Sequence, residues 1–183
     1  DDGTGTGNSI ANLNDVKKFI NVYAYCDDTV TAGYTITAGQ LLVMEHIGDA
    51  AHVVDGEQVL SKYGLGNVCR LSNAGVQAAA TAGAIGQAID AQFAFGVAKD
   101  TTVIKKGEVA FIQAQVYGKF VGADVDAAVT IGGYLVADVV GAATSIGSLE
   151  LQTAFGTSVA IALTAHAAGK ADIFLLDPLN LAD

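Results

Sequence analysis

The stretch from Phe93 to Val121, FAFGVAKDTTVIKKGEVAFIQAQVYGKFV, most limits what this chain can fold into. A short apolar run ends at Val97-Ala98, and a charged link follows through Lys99, Asp100, Lys105, Lys106 and Gly107. Then Ala110, Ile112, Ala114 and Val116 fall on one face of a period-two segment, with Glu108, Gln113, Gln115, Val109 and Phe111 at the other positions. A repeat of two belongs to a half-buried strand, because successive side chains of a strand point to opposite faces. Tyr117-Gly118-Lys119 reads as a tight turn that returns the chain into Phe120-Val121.

The same grammar recurs in SVAIALTAHAAGKADIFLLDP near the C-terminus. Aligning Gly107 with Gly169 pairs GEVAFI with GKADIF, each preceded by an apolar strand, Phe95 to Ala98 and Val159 to Leu163. Further upstream, Thr37-Ala38-Gly39-Gln40-Leu41-Leu42 echoes Ile131-Gly132-Gly133-Tyr134-Leu135-Val136. Two related β units in tandem are expected, one from about Thr35 to Ile112 with a large insertion and a compact one from Val129 to Leu176.

Taken in order, Asp1 to Ser9 (DDGTGTGNS) is Gly-rich and polar, which predicts a flexible arm. Asn12 or Asn14 could cap one helical turn through Asp15, Val16, Lys17 and Lys18. Phe19 to Tyr25 alternates as a strand, Gly33 to Gly39 is turn-like, and Gln40 to Glu45 forms the next strand. Asp55-Gly56 is a hairpin dipeptide, and Val68 to Leu71 follows a loop. Between Asn73 and Gln92 the alanines would tolerate a helix, but Gly75, Gly83 and Gly86 each cost about 1 kcal/mol there, so loop and short strand are expected. Beyond a turn from Ala123 to Ala128, strands are expected within Val129–Val140, Ser148–Thr153, Ser158–Leu163 and Asp172–Leu176, with Asp177-Pro178 as the stop. The fold class is all-β, a barrel or sandwich of many short strands with little helix. The division expected is an arm over residues 1–18 and a single β-rich domain over 19–183, with an insertion at about 49–92.

Hydrophobic residues make up 51% of the 183, yet Gly, Asp, Lys or Gln interrupts every apolar run well short of the roughly 18 residues that span a bilayer. A soluble chain with no membrane partner is expected. Net charge is -10 and Arg70 is the only arginine, so a surface that tracks phosphates is disfavoured, and nucleic acid with it. Charged residues are only 15%, which leaves much of the surface neutral or apolar and points to a chain covered by partners. Cys26 and Cys69 form no metal or redox spacing, and the absence of a sequon or signal peptide favours reduced thiols. The chain opens on Asp1 rather than Met, so a leading segment removed or left out is expected.

A catalytic constellation does not emerge. There is no Gly-x-Ser-x-Gly elbow, phosphate-binding Gly-Lys-Ser/Thr or His-Glu-x-x-His, and GTGTG at Gly3 to Gly7 has no strand before it. Glu45, His46, Asp49 and His52 come nearest to a metal cluster, but ordinary surface or turn residues explain them far better. Asp124 and Asp126 could share a strand face as a weak cation site, or stand in a solvated turn. His166 is expected exposed before Gly169, and Lys105-Lys106 at a hairpin tip that could meet an acidic partner. No enzyme activity, cofactor or bound metal is expected.

One resemblance covers most of the chain, roughly Thr35 to Pro178. The series Phe95-Gly96-Val97-Ala98, Gly107, Val109 to Ile112, Tyr117-Gly118, Thr130-Ile131-Gly132-Gly133-Tyr134-Leu135, Val159 to Leu163 and Gly169 to Leu176 is similar to small β-rich decoration (cement) and head proteins of tailed bacteriophages. The resemblance implies a non-enzymatic virion protein on the outside of the head, commonly a homotrimer bound to the major capsid protein at threefold positions. The segment from Asp49 to Gln92 is long for such a domain and departs from the pattern. Candidate partner contacts are Ile10, Leu13, Val16 and Phe19 from the arm and its junction, with Lys105 and Lys106. Rival readings are another virion role (head fibre base, minor capsid protein, tail-tube subunit) and a β-barrel ligand-binding module, though the lack of Trp weakens sugar stacking. An enzyme built on His46, His52 and Asp49 comes last.

Overall fold

The structure is a computed structural model, and it describes residues 16–25, 34–44, 68–71, 94–105, 108–137, 147–152 and 158–176. All regular structure among them is β: β1 (Lys18–Tyr25), β2 (Tyr34–Ile36), β3 (Leu41–Met44), β4 (Val68–Leu71), β5 (Ala94–Ala98), β6 (Thr102–Ile104), β7 (Val109–Asp124), β8 (Tyr134–Ala137), β9 (Leu149–Leu151), β10 (Ala160–Ala162) and β11 (Lys170–Leu175).

These strands close into two rings that share β7. The first runs β1-β4-β3-β5-β7 and returns from β7 to β1, where Phe19 to Tyr25 pair antiparallel with Gln115 to Val109. The β1–β4 pair is parallel and the other pairs of this ring are antiparallel. The second ring runs β7-β11-β10-β8-β9, and a parallel bridge from Val125 to Leu149 closes it. The N–H of Asp126 donates to the Leu149 carbonyl at 2.8 Å beside that bridge. Among the described residues each ring thus closes on itself, which is how small β-proteins limit edge-to-edge aggregation.

Length makes the sharing possible. At 16 residues β7 is about three times a typical strand, so its first half serves the first barrel and its second half the second. The expected turn at Tyr117-Gly118-Lys119 is therefore corrected: the strand passes straight through. Gly118 sits at φ 92° and absorbs a change of register, Lys18 facing Tyr117 while Phe19 faces Gln115. A side chain cannot replace its hydrogen, because a Cβ would lie 2.1 Å from the Val16 carbonyl oxygen. Gln115, buried although polar, donates from its Nε2 to the carbonyls of Tyr117 at 3.1 Å and Lys119 at 3.0 Å. It thus ties the backbone on both sides of the irregularity.

The alternation along β7 sorts the core. Ile112, Ala114 and Val116 join Val22 and Ala24 of β1, Leu42 of β3 and Phe95 and Ala98 of β5 inside the first barrel. Ile36 of β2 and Ile104 of β6 complete this cluster, as the two short strands pair with each other. The second cluster combines Leu135, Ala137, Leu149, Ala160, Ala162, Ala171, Ile173 and Leu175 with Leu41, Val43, Ala94 and Val97 from the opposite faces of β3 and β5. Strand β5 is consequently buried at every position. Each fully buried Leu or Ile contributes about 1.5–3 kcal/mol.

The two units are related, as the sequence echoes indicate, though in a different register. Thr37 to Gln40 and Thr130 to Gly133 make equivalent turns, with the i+3 N–H donating to the threonine carbonyl at 3.1 Å in both. Gly39 (φ 92°) and Gly132 (φ 77°) occupy the third position, where a type II turn requires positive φ. Their N–H groups donate to Ala98 and Ala162 respectively, each at 2.8 Å. The N–H groups of Lys99 and Leu163 then donate to Gln113 and Asp172. Thus β3, β4, β5 and β7 correspond to β8, β9, β10 and β11, while β1 corresponds to the second half of β7. Gly39 matches Gly132 rather than Gly133, and Asp172 matches Gln113 rather than Ala110. The local alignment on Gly107 is an odd number of residues out, which would exchange the inner and outer faces of the strand.

Other differences are local. Lys18 opens β1 instead of completing a helical turn, because pairing with Tyr117 holds it extended. Tyr34 to Ile36 is strand β2 within the segment expected to turn, and Thr102 to Ile104 is strand β6 within the expected charged link. Each supplies one buried isoleucine. Strand β7 runs to Asp124, shortening the turn expected from Ala123. Val68–Leu71, from the midst of the expected insertion, is β4, a wall of the first barrel. The readings placed on Asp1 to Asp15, His46 to Asn67, Asn73 to Gln92 and Asp177-Pro178 lie outside the described residues.

Candidate interaction surface

Several outward positions on both barrels carry large apolar side chains. On the first, Tyr23 of β1 stands opposite Phe111 of β7, their rings edge to face with centroids 5.8 Å apart, and Phe111 is 56% exposed. Two positions on, Asn21 faces Gln113, and Lys99 donates from its Nζ to Gln113 Oε1 at 2.7 Å. The same ammonium lies 5.3 Å from the centre of the Phe19 ring, which is 40% exposed. Such a cation over an aromatic face contributes about 0.5–1 kcal/mol at an exposed site.

On the second barrel the outer face carries Tyr134 of β8, 56% exposed, beside Ile161 of β10, which in turn pairs with Phe174 of β11. Phe174 packs edge to face on Tyr117 at 5.3 Å, where β7 crosses from one barrel to the other. Val121 and Ile131 are also exposed. The charges nearby are matched: Lys119 Nζ lies 3.6 Å from Asp172 Oδ2, and Lys170 pairs with Asp124. Exposed pairs of this kind stabilise by about 0–1 kcal/mol, so their effect is mainly to leave little net charge on this face. Asp172 also accepts the N–H of Gly122 through Oδ1 at 3.2 Å, holding the second irregularity in β7.

Of the contact residues expected from sequence, Val16 and Phe19 are exposed at the start of β1, and Lys105 is exposed beside the turn that its carbonyl makes with the Glu108 N–H at 3.0 Å. These lie on the first barrel. Ile10, Leu13 and Lys106 fall outside the described residues, as do Glu45, His46, Asp49 and His52. Asp124 is engaged by Lys170, and Asp126 lies beyond the end of β7 in a turn closed by the Val129 N–H. His166, expected exposed, is half-buried, and its Nε2 accepts the Gly169 N–H at 2.8 Å. The ring thereby fastens the turn into β11. Among the described residues no group of three His, Cys, Asp or Glu converges as a metal site would.

Sequence reasoning did not single out Tyr134, Ile131 or Val121 as surface residues. A signal existed for Phe111, which alternates with the core residues Ala110 and Ile112, but an outward aromatic in a strand reads equally as a second buried face.

No protein-family model matches the chain, and no curated protein matches it. Among solved structures it is similar to the N base of the head fibre protein gp8.5 of bacteriophage phi29, with 10% sequence identity and a TM-score of 0.47, over 88% of this chain and 96% of that one. A likeness of that size is one of outline alone.

Proposed function

We propose that this chain is a non-enzymatic structural component of a bacteriophage virion. Within that class the reading is a capsid decoration protein, binding the outer surface of the major capsid protein lattice as a homotrimer and strengthening the head. The observation that carries it is the open aromatic and aliphatic surface on both barrels, Phe19 and Phe111 on one and Tyr134 and Ile131 on the other, in a chain with 15% charged residues. Surface of this kind is ordinarily covered by another protein. The sequence pattern shared with decoration and head proteins supports the same reading.

The physical device is distributed contact. A protein spread over several capsid subunits gains from each contact only when the others are engaged, so weak contacts repeated by symmetry act together. Acidity suits an outward-facing position, away from packaged DNA, because a surface of net charge -10 is repelled by phosphates.

Cosedimentation with shells that lack the protein tests the proposal. Saturable uptake by the shells is expected. No uptake at micromolar protein would overturn the decoration role, and spontaneous rings or tubes without shells would favour a tail-tube subunit instead.

A further inference from the structure

We infer that the outer face of the second barrel, centred on Tyr134 and Ile161, is the seat for a second copy of this chain. The internal repeat carries the argument. In the first barrel one cross-strand row reads Leu41 of β3, Val97 of β5, Gln115 of β7 and Phe19 of β1. The equivalent row of the second barrel reads Tyr134 of β8, Ile161 of β10, Phe174 of β11 and Lys119 of β7. The turns and hydrogen bonds that align the two units make this match residue by residue.

The two rows have the same role in their sheets and opposite fates. Leu41 and Val97 are fully buried, because the second barrel packs over them and takes them into its own core cluster. Nothing among the described residues does the same for Tyr134, which is 56% exposed, while Ile161 and Phe174 are half-buried. The contact between the barrels shows what covers this face of the unit: another barrel of the same kind. Carried over to the equivalent face of the second barrel, that relation calls for a barrel from another copy. Local charge on this face does not oppose it, since Lys119 and Lys170 are matched by Asp172 and Asp124.

This deepens the proposed function, resting on its self-association and not on its capsid partner. The protein is measured by light scattering and sedimentation across concentration, alongside Tyr134→Glu, Ile161→Glu and, as a control away from this face, Val103→Glu at an exposed position of β6. The wild-type chain and the Val103 variant should assemble, and the Tyr134 variant should associate about tenfold or more weakly with unchanged circular dichroism, because a carboxylate would be buried unpaired. Tyr134 is exposed, so its variant carries the test even where Ile161→Glu fails to fold. A wild-type monomer at all concentrations, or a Tyr134 variant that assembles normally, overturns the inference. A monomer in which Tyr134→Glu lowers the melting temperature means that the chain covers its own face, and also overturns it. Assembled protein that ignores shells refutes only the capsid role, and a permanent monomer that binds shells refutes this inference and the homotrimer but leaves the capsid role standing.

Discussion

Gly118 and Gln115 decide whether one strand can serve two barrels. A Cβ at Gly118 meets the Val16 backbone at 2.1 Å and requires φ near 92°, so Gly118→Ala should cost about 2–4 kcal/mol in urea unfolding. Gly122 is the contrast: its φ is 75°, but a Cβ there meets nothing within 4 Å, and Gly122→Ala should cost only about 1–2 kcal/mol. Equal losses would show that contact with Val16 is not what holds Gly118. Gln115→Ala removes two donors from the carbonyls of Tyr117 and Lys119, with an expected loss of about 1–3 kcal/mol by the same assay. A neutral result would mean that water replaces the amide there. Neither role was legible locally. Tyr-Gly-Lys has the composition of a hairpin turn, and a positive-φ glycine inside a strand is distinguished from one at a reversal only by the partner strands. Gln115 reads as an outward polar residue, and its burial and two backbone acceptors follow from the irregular path of β7 beyond it.

At the scale of elements, β7 makes the two barrels one cooperative unit, and the second core cluster crosses between them through Leu41, Val43, Ala94 and Val97. Unfolding should therefore be a single transition, identical by tyrosine fluorescence and far-UV circular dichroism. Ile112→Ala in the first barrel and Leu149→Ala in the second should each lower that one midpoint, by about 2–5 kcal/mol. Two separated transitions, each sensitive to one variant, would contradict the shared-strand account. The strands with strict alternation were readable: β1, the first half of β7, β10 and β11 stand where the apolar period places them. Strands β2 and β6 were not, because three residues within Gly- or Lys-rich segments are too few to show a period. The tandem repeat was visible in composition, but β6 lengthens one connection and not its counterpart, and so the register slipped. Ring closure rests on β1 meeting β7 and on β1 lying parallel to β4, pairings between segments far apart in the chain that leave no local pattern.

The whole molecule is two linked barrels with exposed apolar residues on their outer faces, which the proposed function has covered by capsid. Under the proposed function, a chain with 15% charged residues and exposed Phe111 and Tyr134 should be less soluble alone than on the shell. The most direct measurement is the heat stability of purified phage shells with and without the added protein, with copies bound per shell counted in the same sample. The account predicts saturation at a fixed number of copies set by the lattice symmetry, and a higher temperature of shell rupture in step with occupancy. Binding without a fixed stoichiometry, or full occupancy with an unchanged rupture temperature, would contradict it.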